Sequence, residues 1–375
     1  MRRTRWTKPA ALAMGLALVA GACGEDDETA TDTTEGATDT TAGDTEDTAQ
    51  TSGGSGEADP DYKACEVTDT GGIDDRSFNQ TAFEGLVAAG EELGLDYSEN
   101  VLESTSEADF TPNIEAHIAN DCDMVVTVGF LLGDATQAAA EANPETDFAI
   151  VDFAYEETIP NVQGLVFATE EAAFLAGYVA AATSESGTVG MYGGLEIPSV
   201  TAFMDGFEQG VEQYNTDTGE AVEAVGRNLF TGDFENQTNG RTTTEQLLDQ
   251  GADVIMPVAG PVGLGSIEAI NAAGGAETAR LIWVDSDGFE STDAPELMLT
   301  SVQKKMDIAV QEAVLAGAEG TFEGGVFEGT LENGGVDIAP FHDFEDAVPE
   351  EITTRLDELR AEIIDGTITI ELTGG

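Results

Sequence analysis

From residue 62 onward, short apolar runs alternate with longer stretches in which apolar positions recur every three to four residues. Ala64–Thr68 reads as a buried strand and Ser77–Leu93 as an amphipathic helix. Further strands are expected at Met124–Val128, Phe148–Asp152, Val162–Phe167, Thr188–Tyr192, Val222–Arg227, Val254–Val258, Leu281–Asp285 and Leu297–Val302. Helices fall between them, at Pro112–Asn120, Asp134–Ala142, Glu170–Thr183, Val200–Tyr214, Asn239–Gln250, Gly265–Ala273 and Ala309–Glu319. This alternation implies α/β architecture, with parallel sheets covered on both faces. Ligands of such sheets bind beyond the carboxyl ends of the strands. Those ends are polar or glycine-rich here: Asp69-Thr70-Gly71-Gly72, Gly129-Phe130, Asp152-Phe153, Gly193-Gly194, Gly260-Pro261-Val262-Gly263 and Asp285-Ser286-Asp287. Together they predict a convergent polar cleft. Asp134 and Asp287 read equally well as helix caps, whereas Asp152 and Asp285 close strongly apolar strands.

The first sixty residues follow a different pattern. Arg2, Arg3, Arg5 and Lys8 precede an apolar run from Ala10 to Ala20, followed by Gly21-Ala22-Cys23. This is the layout of a secretory signal over 1–22, too short to span a bilayer as a mature helix. Cys23 after small residues looks like the cysteine of a bacterial lipobox, although Ala20 stands where leucine is commonest. The expectation is a lipidated Cys23 that anchors the chain on the extracytoplasmic face of the cell membrane; simple signal cleavage is the alternative. Residues 23–60, rich in Asp, Glu, Thr, Gly and Ser, read as an acidic, disordered tether. In an oxidising compartment Cys65 and Cys122 are candidates for a disulfide; two buried free thiols are the other reading.

Composition then excludes several functions. The 375 residues carry 13 Lys and Arg against 74 Asp and Glu, a formal net charge of −61, yet 41% are apolar. There is enough apolar material for two lobes, so the charge belongs on the surface. Such a surface repels nucleic acid and anionic headgroups, and no nucleic-acid partner is expected. The scarcity of lysine resembles proteins of salt-adapted organisms, in which high ionic strength screens self-repulsion. His117 and His342 are the two histidines, far apart in sequence. His117, alone in a helix, is expected at the surface or as a cap. No His/Cys cluster with metal spacing, no nucleophile elbow, no phosphate loop and no dinucleotide fingerprint is found. The chain is therefore expected to use no metal or cofactor and not to be an enzyme. A carboxylate pair that hydrolyses a glycosidic bond is the minority reading.

The segment Asp69-Thr70-Gly71-Gly72-Ile73-Asp74-Asp75-Arg76-Ser77-Phe78-Asn79-Gln80 closely resembles the opening motif of the basic membrane protein family. These are substrate-binding lipoproteins of the purine nucleoside receptor A type. The likeness continues through Val128-Gly129-Phe130, Glu171–Tyr178, Gly206-Phe207-Glu208-Gln209-Gly210, Val284-Asp285-Ser286-Asp287 and Leu299-Thr300-Ser301-Val302, and on to Gly334–Phe341. The resemblance implies a type I periplasmic-binding fold, two doubly wound parallel-sheet lobes joined by a three-strand hinge. Lobe one would comprise 61–167 plus 303–323, and lobe two 168–302 plus 324–375. It further implies the binding component of an ABC importer: a monomer that delivers a small molecule, a purine nucleoside, to a membrane permease. By the motif matches, Phe78 and Phe234 would sandwich the base. Asp152 and Asp285 would bind ribose or base, assisted by Lys304, with Lys305 as the alternative register. Asp69 and Asn79 would be polar contacts, and Gly129 and Gly260 backbone approaches. Phe130, Phe153 and Trp283 are expected to be packing residues. A surface sensor of the same fold and a nucleoside-cleaving enzyme are the competing functions.

Overall fold

The computed structural model describes residues 58–373, so the leader, Cys23 and the tether up to residue 57 lie outside the described residues. Within it, the apolar runs become the strands of two six-stranded sheets. The first sheet contains β1 (Ala64–Thr68), β2 (Val101–Leu102), β3 (Met124–Val128), β4 (Asp147–Val151), β5 (Val162–Phe167) and β11 (Gly325–Gly329), in the order β11-β5-β4-β3-β1-β2. The second contains β6 (Thr188–Gly193), β7 (Glu223–Val225), β8 (Val254–Val258), β9 (Arg280–Asp285), β10 (Met298–Lys304) and β12 (Val336–Ile338), in the order β12-β10-β9-β8-β6-β7. All named pairings are parallel except β10 with β12. Every residue of β1, β3 and β8 is buried, as strands covered on both faces require.

Helices supply that cover. In the first lobe Ala64, Val126, Val128 and Val151 pack with Leu86 of α1 (Phe78–Leu93) and Val310 and Val314 of α9 (Met306–Ala318). On the opposite face Cys65, Val67, Phe148 and Ile150 meet Phe110 and Ile114 of α2 (Phe110–Ala119). In the second lobe Met191, Met256, Ile282 and Val284 pack on α4 (Thr169–Thr183) and α5 (Pro198–Thr218), which contribute Phe174, Phe203 and Phe207. The helix α10 (Glu350–Ile364) adds Leu356, Leu359 and Ile363 to the same core. Cys65 is disulfide-bonded to Cys122, across a sequence separation of 57 residues.

Three corrections to the sequence reading follow from the pairing. The segment after residue 324 does not all join lobe two, because β11 pairs with β5 along its whole length. Likewise β10 runs to Lys304 in the second sheet, two residues past the expected strand end at Val302. The chain thus passes between the sheets after β5, after β10 and between β11 and β12. The third concerns His117. It is buried rather than exposed, its Nε2 lying 2.8 Å from the Glu66 carbonyl oxygen, and burial holds its pKa below the ordinary value.

Candidate functional site

The carboxyl ends of the parallel strands meet in one cavity, lined by residues of both sheets and of the helices that follow them, the place where ligands of such sheets bind. Asp69 follows β1, Gly129 follows β3 and Asp152 follows β4, while Asp285 and Lys304 are the last residues of β9 and β10. Phe78 and Asn79 open α1, Gly260 follows β8, and Phe234 lies in the loop before α6 (Gln237–Asp249). All nine line this one cavity.

Local chemistry explains how each is held. Asp75 caps α1, its carboxylate accepting the backbone N–H groups of Ser77 at 2.9 Å, Asn79 at 2.8 Å and Gln80 at 3.1 Å. That fixes the turn from which Phe78 and Asn79 enter the cavity. The Phe234 loop is pinned by Asp233, which accepts from the backbone of Glu235 and Asn236 and from the Asn239 side chain at 2.9, 2.6 and 2.9 Å. A Cβ at Gly194 would collide with the Phe234 ring, so only glycine lets the ring settle there. Gly129, at φ 118°, is needed for a similar reason, since a Cβ there would come within 2.6 Å of Asp69 Oδ2. Asp152 and Asp285 hold left-handed φ values of 65° and 70°, strain of order 1–3 kcal/mol each that persists only where surroundings over-determine it.

The charge balance is lopsided. Asp69, Asp75, Asp152 and Asp285 face a single buried cation, Lys304. Its Nζ lies 2.6 Å from Asp152 Oδ2 and 4.0 Å from Asp285 Oδ1, and 4.8 Å above the Phe78 ring. Because Asp152 follows β4 of the first sheet and Lys304 ends β10 of the second, this ion pair ties the lobes beside the cavity. Burial pushes Asp69 up to about 8; the Asn79 side chain, donating to Oδ1 at 3.0 Å, opposes this, and the neighbouring carboxylates add to it. Burial raises Asp285 to about 6 against the pull of Lys304 and the Ser77 hydroxyl. Asp152 is also raised by burial, with Lys304 countering. Asn79 Oδ1 is buried without a hydrogen-bond partner, an acceptor waiting for a donor.

The profile of the family described as "ABC transporter substrate-binding protein PnrA-like" matches residues 63–373. The chain belongs to that family. A relative from Lactococcus lactis subsp. cremoris named "ABC transporter nucleoside-binding protein BmpA" is 32% identical over 333 residues, covering 85% of this chain and 92% of the relative. The "CD4+ T-cell-stimulating antigen" of Listeria monocytogenes is 30% identical, covering 83% and 88%. Among solved structures, a solute-binding protein of an ABC transporter system from Aeropyrum pernix K1 superposes with a TM-score of 0.76 at 28% identity, covering 84% of this chain and 94% of that one. The PnrA-like family is one of substrate binding rather than catalysis.

Sequence reasoning missed part of the wall of this PnrA-like cavity. Phe203 and Val200 of α5, with Ile197 before it, line it as well. Their spacing matches the apolar stripe that packs α5 on its sheet, so periodicity alone cannot separate the two roles. Phe130, expected to be a packing residue, does both: it lines the cavity and sits 5.2 Å from the Phe153 ring. The cap residue Asp75 also borders the cavity. The Asp-x-Ser pattern of a helix start was its signal.

Proposed function

We propose that this chain is the extracytoplasmic, lipid-anchored binding component of an ABC importer, and that its cavity holds a purine nucleoside. The observation that carries this reading is the convergence, in one cavity, of four phenylalanines, Phe78 and Phe234 among them, with buried carboxylates and one lysine drawn from both lobes. A purine is a flat, polarisable plate that stacks on aromatic rings for ~1–3 kcal/mol per contact, by analogy with single-stranded nucleic acid. A ribose diol offers two donors, which ionised carboxylates accept in charge-assisted bonds. A phosphate would meet like charge after desolvation, so the ligand class is the nucleoside and not the nucleotide. The Lactococcus relative's name supports the same class. The lipid is assigned to Cys23 on the signal layout that precedes it.

A thermal-shift panel of nucleosides, bases, pentoses and nucleotides tests this. A ligand at 100 times its Kd stabilises the fold by about 2.7 kcal/mol. Purine nucleosides are expected to raise the midpoint of the wild-type chain and to raise that of Phe234→Ala clearly less. A shift with free pentoses alone, or with no nucleoside, would overturn the assignment. Incorporation of labelled palmitate, lost in Cys23→Ala, tests the anchor; equal labelling of both chains would refute it.

A further inference from the structure

Beside the cavity, and outside its lining, the two lobes are stitched together at Arg76. This residue belongs to the first-lobe turn between β1 and α1. Its carbonyl oxygen accepts from three second-lobe side chains: Trp283 Nε1 at 3.1 Å, Ser286 Oγ at 3.0 Å and Ser291 Oγ at 3.1 Å. The two serine hydroxyls are themselves 3.0 Å apart, so their protons are shared between each other and the carbonyl. The guanidinium adds a longer bond, Nη1 to the Ser291 carbonyl at 3.4 Å. Arg76 adopts a left-handed φ of 62°, a conformation that L-residues sustain only when held. The next residue, Ser77, is fully buried and places its Oγ 2.7 Å from Asp285 Oδ2 and 3.1 Å from the Val284 carbonyl.

We infer that the Arg76 carbonyl is the receiving half of an interlobe latch which, through Ser77, positions the Asp285 carboxylate and sets how long a bound ligand stays. Neither Arg76, Ser77, Trp283, Ser286 nor Ser291 lines the cavity. They act on a ligand only through the closed arrangement and through Asp285. Opening the lobes breaks the whole set at once, because one oxygen receives it. A hinged binding protein releases its ligand by opening, so these bonds belong to the barrier for dissociation and not to the encounter.

The latch contains its own reporter. Trp283 is 1% exposed and one of two tryptophans in the chain, the other being Trp6. In the mature chain, which loses Trp6 with the signal, Trp283 is the sole tryptophan, and acrylamide quenching without ligand reads the latch directly. Stopped-flow release of inosine reads residence time. Only the second readout rests on the nucleoside assignment, so if inosine fails to bind the wild type, the quenching still decides the latch. At about 1 kcal/mol per hydrogen bond, Ser286→Ala/Ser291→Ala should raise the quenching constant roughly threefold or more and speed inosine release about thirtyfold, with the association rate changed less than about twofold. Ser286→Thr/Ser291→Thr keeps the hydroxyls and should restore both. If the double variant does not fold, each single alanine variant should raise the quenching constant by a smaller step and speed inosine release about fivefold. A folded variant with wild-type quenching and wild-type release would overturn the latch.

Discussion

Asp69 shows what single residues contribute. Burial, with three other acids nearby, lifts its carboxyl to about 8 against the Asn79 hydrogen bond, while Asp285 is lifted to about 6. An unfolded chain releases these protons near the ordinary value of 3.8. Between about pH 4 and 8 the folded, ligand-free chain therefore holds protons that the unfolded chain has lost. Its stability falls as pH rises, by about 1.4 kcal/mol per pH unit for each group until that group's folded pKa is passed. The unfolding midpoint of the ligand-free chain should be higher at pH 5 than at pH 8, and Asp69→Asn should flatten the slope by about one proton's worth. A midpoint that rises over this range, or an unchanged slope in the variant, would contradict the placement of Asp69. A nucleoside whose hydroxyls donate to Asp285 needs the ionised carboxylate, so its affinity should move the other way and strengthen from pH 5 to pH 7.

At the scale of elements, the long strands were legible because parallel strands covered on both faces are continuous apolar runs: β1, β3 and β5 have the expected bounds. The short edge strands were not. β2 is two residues and β12 three, and β11 is a Gly-Val-Phe-Glu-Gly segment with Val326 56% exposed, too brief for period-two alternation to register. That is why the return of β11 to the first sheet was missed. The helix α10, with seven carboxylates and arginines among its fifteen residues, hides its apolar stripe of Leu356, Leu359 and Ile363 in a charged background. The site was more legible than its frame, since strand-end aspartates stand out where core phenylalanines such as Phe203 do not. The disulfide binds β1 to the turn before β3. Closing a loop of 57 residues removes chain entropy worth about 4 kcal/mol from the unfolded state. Cys65→Ser/Cys122→Ser should lower the denaturant midpoint accordingly while leaving the cavity able to bind; an unchanged midpoint would show that the bridge carries no stability.

For the whole molecule, the two sheets, the three passages between them and the cavity at their strand ends form a hinged clamp. Its lobes touch through Lys304–Asp152 in the cavity lining and through Arg76 outside it. The family match gives substrate binding; the lining argues which substrate. A net charge of −61 makes ionic strength part of the experiment, because molar salt screens self-repulsion beyond a few ångströms. The most direct test of the central claim is calorimetric titration of the chain in molar KCl with inosine and with its 5′-monophosphate. The account predicts one-to-one binding of inosine, monophosphate binding at least tenfold weaker from like-charge repulsion, and a loss of ~1–3 kcal/mol in Phe234→Ala. Equal binding of nucleoside and monophosphate, or no heat with inosine, guanosine or adenosine from a folded chain, would contradict it.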